Sequence, residues 1–177
     1  MYGGLGSLNS LNKVIKFLKT FKKNNIVKII YCPPNTLINS MSKKLKNTRI
    51  LVGAQNCHEN ETFGPFTGHI NSLMLKNVGA KFVIIGHSEN RKTGETNKMI
   101  NLKIKSALKS GLKVIFCVGE TIQEKRKKIT KQVLKKQINL GLNKVKNTKN
   151  ILIAYEPVWS IGSGLVPETK ELFDTID

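Results

Sequence analysis

Residues 82–89 of this 177-residue chain read Phe-Val-Ile-Ile-Gly-His-Ser-Glu, an apolar run that ends in a polar cluster. A short run with no polar face is typical of a strand that helices cover on both sides, as in a parallel sheet. The run Val114-Ile115-Phe116 is of the same kind. In parallel α/β proteins, chemistry collects at the carboxyl ends of the strands. The stretch therefore predicts an α/β fold and the edge where a site should lie.

The rest of the chain repeats this unit. The apolar pattern predicts strands at 26–32, 49–54, 81–85, 113–118 and 151–155, and a long polar loop at 55–67. It predicts helices at 7–23 (with Ser7 as the N-cap), 35–46, 69–78, 95–110, 121–142 and 168–177. Five strands alternating with six helices indicate parallel strands joined by crossover helices. Both an open doubly wound sheet and a (β/α)₈ barrel fit this alternation, and composition does not separate them.

Composition places the chain among single-domain globular proteins. It is 40% hydrophobic, and neither a long apolar run nor a secretory pattern at Met1 predicts a membrane span or export. Cys32, Cys57 and Cys117 are scattered and lack the spacing of metal ligands. We therefore expect a cytoplasmic protein with reduced thiols, no metal and no membrane partner.

The net charge of +19 could indicate a nucleic-acid or anionic-surface binder. However, nearly all of the positive charge is lysine spread over every predicted helix, without interleaved aromatic residues. The densest basic run, at 125–128, lies on a helix predicted to face solvent. We expect solvated helix faces and no nucleic-acid partner, and a non-catalytic basic protein remains the alternative from another functional class.

Polar residues follow three of the predicted strands. His87 comes directly after the third strand, where it could act as an acid, a base or a hydrogen-bond donor. Glu156 follows the fifth strand and precedes a proline, and the glycine-rich segment 160–164 could turn its backbone N–H groups toward an anion. Each feature alone has an ordinary structural explanation, as a turn histidine, a solvated glutamate or a flexible loop.

Taken together, these segments resemble the triosephosphate isomerase family in order and spacing. The matching segments are Gly53-Ala54-Gln55-Asn56, Phe66-Thr67-Gly68, Ile85-Gly86-His87-Ser88-Glu89, Gly94-Glu95-Thr96, Cys117-Val118-Gly119-Glu120, Ala154-Tyr155-Glu156-Pro157-Val158-Trp159 and Ile161-Gly162-Ser163-Gly164. The resemblance covers the chain from the first helix to the last residue. It implies a (β/α)₈ barrel rather than an open sheet, present here as a single incomplete domain over residues 1–177.

The resemblance implies an activity and a set of roles. The family interconverts dihydroxyacetone phosphate and glyceraldehyde 3-phosphate through an enediolate, without a cofactor. Glu156 matches the base that removes the proton next to the carbonyl, and His87 matches the neutral imidazole that polarises the carbonyl oxygens. Glu89 matches a supporting carboxylate near His87, and Cys117 a buried neighbour of the glutamate rather than a nucleophile.

The resemblance also implies a mobile lid over the substrate. Pro157, Val158 and Trp159 match its N-terminal hinge, and Gly162 matches the amide that contacts the phosphate. Ile161, Ser163 and Gly164 match the rest of the lid tip. In the open state, Glu120 is expected to accept a hydrogen bond from the Trp159 indole.

The chain departs from the family at both ends. The family's first strand carries an Asn and a catalytic Lys, and no lysine of this chain matches that position. The last helix stops near Asp177, whereas a complete barrel has about 250 residues. The sequence therefore predicts that the chain as written lacks strands of the barrel, exposes unpaired strand edges and is inactive.

A further departure concerns subunit contacts. In the family, a Glu after Phe-Thr-Gly pairs with an Arg after Gly-His-Ser-Glu at the dimer interface, and here these positions hold His69 and Asn90. Because both charges are absent, neither is left buried and unpaired. We expect a full-length protein to form a homodimer through the 57–68 loop.

A different phosphate-binding (β/α)₈ enzyme remains an alternative.

Overall fold

The computed structural model describes residues 3–4, 6–20 and 28–176 of the chain, and in this part it has eight α-helices and five strands. The strands are β1 (Ile29–Tyr31), β2 (Ile50–Ala54), β3 (Phe82–Ile85), β4 (Lys113–Val118) and β5 (Ile151–Tyr155). The helices are α1 (Ser7–Thr20), α2 (Ile38–Leu45), α3 (Ser72–Asn77), α4 (Ser88–Lys92), α5 (Asn97–Lys109), α6 (Ile122–Arg126), α7 (Thr130–Gly141) and α8 (Thr169–Ile176), and short 3₁₀ turns occupy Asn35–Leu37 and Val158–Ser160.

The strands form one parallel sheet in the order β1-β2-β3-β4-β5. A doubly wound sheet reverses its strand order part-way across, so this sequential order excludes that alternative. Right-handed crossovers in one direction place the helices on a single face of the sheet, which leaves the other face for the interior of a barrel. The fold is an incomplete (β/α)₈ barrel, as expected. Within the described residues, β1 and β5 each pair with one strand only, and Leu152 and Ile153 of β5 are 52% and 47% exposed.

The core lies between the sheet and its covering helices. α5 packs against β3, β4 and α7, and it buries Ile100, Ile104 and Ala107 completely. These residues recur at the spacing of one helix face, which is the apolar pattern that predicted the helix. On the strand side, Val114 and Phe116 of β4 are also fully buried. This packing fixes the two central strands, whose carboxyl ends carry the predicted site.

The predicted single helix at 121–142 is wrong, because the structure divides it into α6 and α7. Thr121 and Glu124 form a reciprocal capping box at the start of α6. After α6, Lys128 adopts φ = 57°, a left-handed conformation that no continuous α-helix contains. The N–H groups of Lys128 and Ile129 donate back to the carbonyls of Lys125 and Glu124, so the helix ends in a Schellman motif with lysine at the usual glycine position. No glycine or proline marks this end in the sequence.

Other predicted boundaries differ by a few residues, and the predicted total of six helices is too low. α3 begins at Ser72 rather than at 69 because the Asn71 side chain caps the Met74 N–H. α5 begins at Asn97 rather than at 95, with Thr96 as its cap. α4 was not among the predicted helices; it begins directly after His87 and runs to Lys92. The predicted residues 21–23 of the first helix, 26–27 of the first strand and 177 of the last helix lie outside the described residues.

Replacing Lys128 tests the helix break. Because glycine adopts positive φ without the steric penalty of a β-carbon, Lys128→Gly should raise the free energy of unfolding by about 0.5–1 kcal/mol. The matched change Lys127→Gly, at a residue with right-handed φ of −76°, should lower it. Urea unfolding of the two variants measures the difference. A loss of stability in Lys128→Gly equal to that in Lys127→Gly would show that α6 and α7 form one helix.

Candidate active site

The side chains of His87 and Glu156 meet at the carboxyl edge of the sheet. His87 follows β3 and Glu156 follows β5, so β4 lies between the two strands. His87 Nε2 lies 2.8 Å from Glu156 Oε1, and the Ser88 backbone N–H donates to Glu156 Oε2 over 3.0 Å. Both carboxylate oxygens therefore have a hydrogen-bond partner, and the carboxylate is largely buried, with 17% of the side chain exposed.

The local backbone determines which ring nitrogen of His87 carries the proton. His87 is the N-cap residue of α4, and its Nδ1 accepts a hydrogen bond from the Glu89 backbone N–H at 3.3 Å. A backbone N–H is always a donor, so Nδ1 presents its lone pair and the neutral ring carries its proton on Nε2. That proton points at the Glu156 carboxylate. The Glu89 carboxylate is 75% exposed and 3.8 Å from Nδ1, so the closer contribution of Glu89 is its backbone N–H.

A close backbone approach holds Glu156 in place. The Glu156 N–H donates to the Val118 carbonyl over 2.8 Å, which continues the β4–β5 ladder beyond the strand end. A β-carbon on Gly119 would lie 1.8 Å from the Glu156 carbonyl oxygen, so only glycine fits there. The Gln137 side chain of α7 accepts from the Gly119 N–H and donates to the Gly119 carbonyl, both over 2.9 Å. Gln137 thereby fixes the loop against which Glu156 rests.

Glu120 is a buried carboxylate, 1% exposed, beside this loop. The Trp159 indole N–H donates to Glu120 Oε1 over 2.7 Å, which is the hydrogen bond that the sequence predicted. The Tyr155 hydroxyl lies 3.1 Å from both carboxylate oxygens. Burial, followed by the negative charge of Glu120, raises the pKa of Tyr155 above its ordinary value, so the hydroxyl stays protonated as a donor.

The Cys117 thiol is a poor nucleophile. Burial, reinforced by the neighbouring Glu156 carboxylate, raises the pKa of Cys117 to about 12. The thiolate is the reactive form, so this side chain is inert near neutral pH. Cys117 is 6% exposed, and Glu156 lies close enough to contribute to the raised pKa of its thiol.

The segment after Trp159 lies at the surface. Gly162 and Gly164 have φ values of 69° and 76°, and the side chains of Ile161 and Ser163 are exposed. In the part of the chain that the structure describes, no cluster of three or more His, Cys, Asp or Glu residues could hold a metal ion. No helix in the same part is both long and apolar enough to span a bilayer.

Comparison with known proteins places this geometry in a family. The family model for triosephosphate isomerase matches residues 1–176. The chain belongs to the triosephosphate isomerase family. The triosephosphate isomerase of Dictyoglomus thermophilum is 47% identical over 152 residues, which are 84% of this chain and 61% of that protein. The enzyme of Saccharomyces cerevisiae is 39% identical over 170 residues, 96% of this chain and 68% of that protein.

Solved structures agree with this assignment. The crystal structure of triosephosphate isomerase from Bartonella henselae matches with a TM-score of 0.82 and 37% identity, over 90% of this chain and 65% of that one. The chain thus spans about three fifths of the length of the first curated relatives it matches. Family membership argues against the two alternatives that the sequence left open, a different phosphate-binding barrel and a basic protein of another class.

Sequence reasoning missed Arg91, which joins two strand ends beneath the triosephosphate isomerase motif. Its guanidinium donates from Nε to the Gly86 carbonyl over 2.7 Å, from Nη2 to the Cys117 carbonyl over 3.1 Å and from Nη1 to Asn97 Oδ1 over 2.8 Å. Burial lowers the pKa of Arg91 from its ordinary value, and the group remains charged near pH 7. An arginine in the last turn of a short helix gives no sequence signal for such a role.

A second missed feature is a buried ion pair between Glu95 and Lys103. Lys103 Nζ lies 2.5 Å from Glu95 Oε1 and 3.2 Å from Asn56 Oδ1. The side chain of Lys103 is 8% exposed and that of Glu95 is 4% exposed. Glu95 had been placed on the first turn of a helix, where a carboxylate is normally solvated. The pair links α5 to the loop after β2, next to the predicted subunit interface.

The variant Gly119→Ala tests the close approach at Glu156. Because the new methyl group would overlap a backbone carbonyl oxygen, the loop must shift, and we expect a loss of about 2–3 kcal/mol in the free energy of unfolding. Gly6→Ala is the matched control, since nothing lies within 4 Å of a β-carbon at that residue. Chemical denaturation of both variants measures the loss. Equal stability of the two would contradict the described backbone packing.

Proposed function

We propose that the natural gene product containing this chain is a triosephosphate isomerase that interconverts dihydroxyacetone phosphate and D-glyceraldehyde 3-phosphate. We also propose that residues 1–177 form one partial barrel domain. The observation that carries the proposal is the 2.8 Å contact between His87 Nε2 and Glu156 Oε1, while the Glu89 N–H donates to Nδ1 of the same ring. A proton donor and a carboxylate base thus face the same point at the strand ends.

The proposed reaction needs both groups. Glu156 removes a proton from the substrate carbon next to the carbonyl, while His87 Nε2–H donates a hydrogen bond to the carbonyl oxygen that gains negative charge. A neutral imidazole suits this role because it can both donate a proton to one oxygen of the enediolate and take one from the other. Glu156 then returns its proton to the neighbouring carbon, so the products carry the same atoms as the substrate.

In the described conformation Glu156 is not free to act as a base. Its two oxygens accept from His87 and from the Ser88 N–H, so it has to leave at least one of them to reach a substrate carbon. A substrate carbonyl oxygen can replace the carboxylate as the acceptor for His87. Substrate binding therefore frees Glu156 to act as the base and aligns His87 with the substrate carbonyl oxygen, through one exchange of hydrogen bonds.

The proposed lid runs from Pro157 to Gly164. In this role Pro157, Val158 and Trp159 form the hinge, and Ile161, Ser163 and Gly164 surround the Gly162 N–H, which binds the substrate phosphate. The exposed tip and its two glycines at positive φ support the proposal, since such a backbone can approach a phosphate closely. Lid closure would exclude water from the reacting groups. The reaction needs no cofactor.

Shortening the proposed base tests the mechanism. Glu156→Asp withdraws the carboxylate by about one methylene, and misplacement of a base by roughly 1 Å lowers kcat on the order of 100-fold. Asp174→Glu, at an exposed residue of α8, changes a carboxylate by the same methylene and should leave kcat unchanged. A coupled assay of the natural gene product measures both. An unchanged kcat in Glu156→Asp would refute the assignment of the base.

We further propose that the gene product is a cytoplasmic homodimer that uses the 57–68 loop. Phe63 and Phe66 in this loop are 63% and 39% exposed, which leaves aromatic surface for a second copy to cover. The His69 ring lies 4.5 Å from the His58 ring, so both histidines lie beside the same surface. Cys32, Cys57 and Cys117 are free thiols, which supports a reducing compartment.

A double-mutant cycle at residues 69 and 90 tests the dimer. Because either charge alone would be buried without its partner, His69→Glu and Asn90→Arg should each weaken the dimer by tenfold or more, and the double variant should recover most of the loss. Sedimentation equilibrium at micromolar concentration gives the dissociation constants. A monomeric parent protein, or additive effects of the two changes, would contradict the proposed interface.

A further inference from the structure

Lys125 contacts the hinge of the proposed lid and the helix that follows the lid. Its Nζ lies over the Trp159 ring, 3.3 Å from the centroid, and forms an ion pair of 2.5 Å with Glu171 Oε1. Trp159 belongs to the hinge that precedes the lid, and Glu171 lies in α8, the helix that follows it. Lys125 itself lies on α6, outside the lid. A single ammonium group therefore connects the hinge and α8 to α6.

The Trp159 indole is held from two directions. Its N–H donates to the buried Glu120 carboxylate over 2.7 Å, and its face receives the ammonium of Lys125. The two contacts hold different parts of the ring: Glu120 accepts the hydrogen bond of the indole N–H, and the cation covers the π face. The Lys125 side chain is 29% exposed, so the cation is partly desolvated, which strengthens its attraction to the ring.

We propose that Lys125 is a positioning residue that stabilises the described conformation of the lid through its contacts with Trp159 and Glu171. The inference rests on the proposed function for the lid itself, whereas the contacts of Lys125 do not. Any movement that carries Trp159 away from Glu120 must also remove the ring from the ammonium group. Lys125 thereby sets part of the free-energy difference between the described state and a closed state.

Hydrogen exchange at the Trp159 indole measures this effect directly. The indole N–H is protected by its bond to Glu120, so its exchange rate with solvent reports how often the ring leaves. Lys125→Met keeps the length of the side chain and removes the charge, and we expect the exchange to become about three- to tenfold faster. Lys125→Arg places a cation over the same ring and should restore slow exchange. Glu171→Gln should give a smaller acceleration.

Two further variants complete the design. Trp159→Phe assigns the indole signal in the NMR spectrum of the natural gene product. Lys127→Met removes the same charge at the exposed C-cap of the same helix, and it should leave the exchange rate unchanged. Unchanged exchange in Lys125→Met, or equal acceleration in Lys127→Met, would overturn the proposal. Failure of Lys125→Arg to restore protection would show a packing effect without a role for the cation.

Kinetic measurement separates this inference from the proposed function. If the lid closes over a triose phosphate, Lys125→Met should lower KM by at most the roughly three- to tenfold factor expected for indole exchange. The reason is that less binding energy is used to release Trp159. If no variant has isomerase activity while indole exchange responds as described, the proposed function fails and the role of Lys125 stands. If activity is present and exchange does not respond, the role of Lys125 fails and the proposed function stands.

Discussion

The hydrogen bond between His87 and Glu156 constrains the whole carboxyl edge of the sheet. The two residues follow β3 and β5, which are separated by β4, so their side chains meet only across the carboxyl end of β4. Adjacent strands lie about 4.8 Å apart, and a contact across two such spacings needs a short loop on the intervening strand. Gly119, with no side chain, leaves room for the backbone carbonyl of Glu156.

The groups around this contact are fixed by buried polar bonds. Arg91 joins the backbone at the ends of β3 and β4, and Gln137 holds both backbone groups of Gly119. Their bonds go to main-chain atoms, which cannot be moved by side-chain rotation, so the strand ends keep a fixed spacing. Glu120 performs the corresponding role for the segment after β5 through Tyr155 and Trp159. These bonds fix the strand ends from which the segment after Trp159 extends.

The sequence predicted the strands well because each is a short apolar run bounded by polar or turn-forming residues. β4 and β5 were predicted to the residue, whereas the sequential strand order followed only from the barrel that the family resemblance implied. The break at Lys128 was missed because the left-handed residue is a lysine, which carries no signal for that conformation. Arg91 and Gln137 were also missed, since their partners are carbonyl and amide groups of distant residues that no local pattern reveals. His87 and Glu156 were singled out by position and given roles by the family resemblance, but their direct contact was not predicted.

The central claim is that His87 Nδ1 accepts a hydrogen bond from the Glu89 N–H and that the Nε2 proton points at Glu156. Nitrogen-15 NMR of the histidine ring at neutral pH tests it most directly, with His87→Gln used to assign the signal. The account predicts an unprotonated Nδ1, which accepts from the Glu89 N–H, and a protonated Nε2. A signal from a ring protonated on Nδ1, whether neutral or doubly protonated, would contradict it.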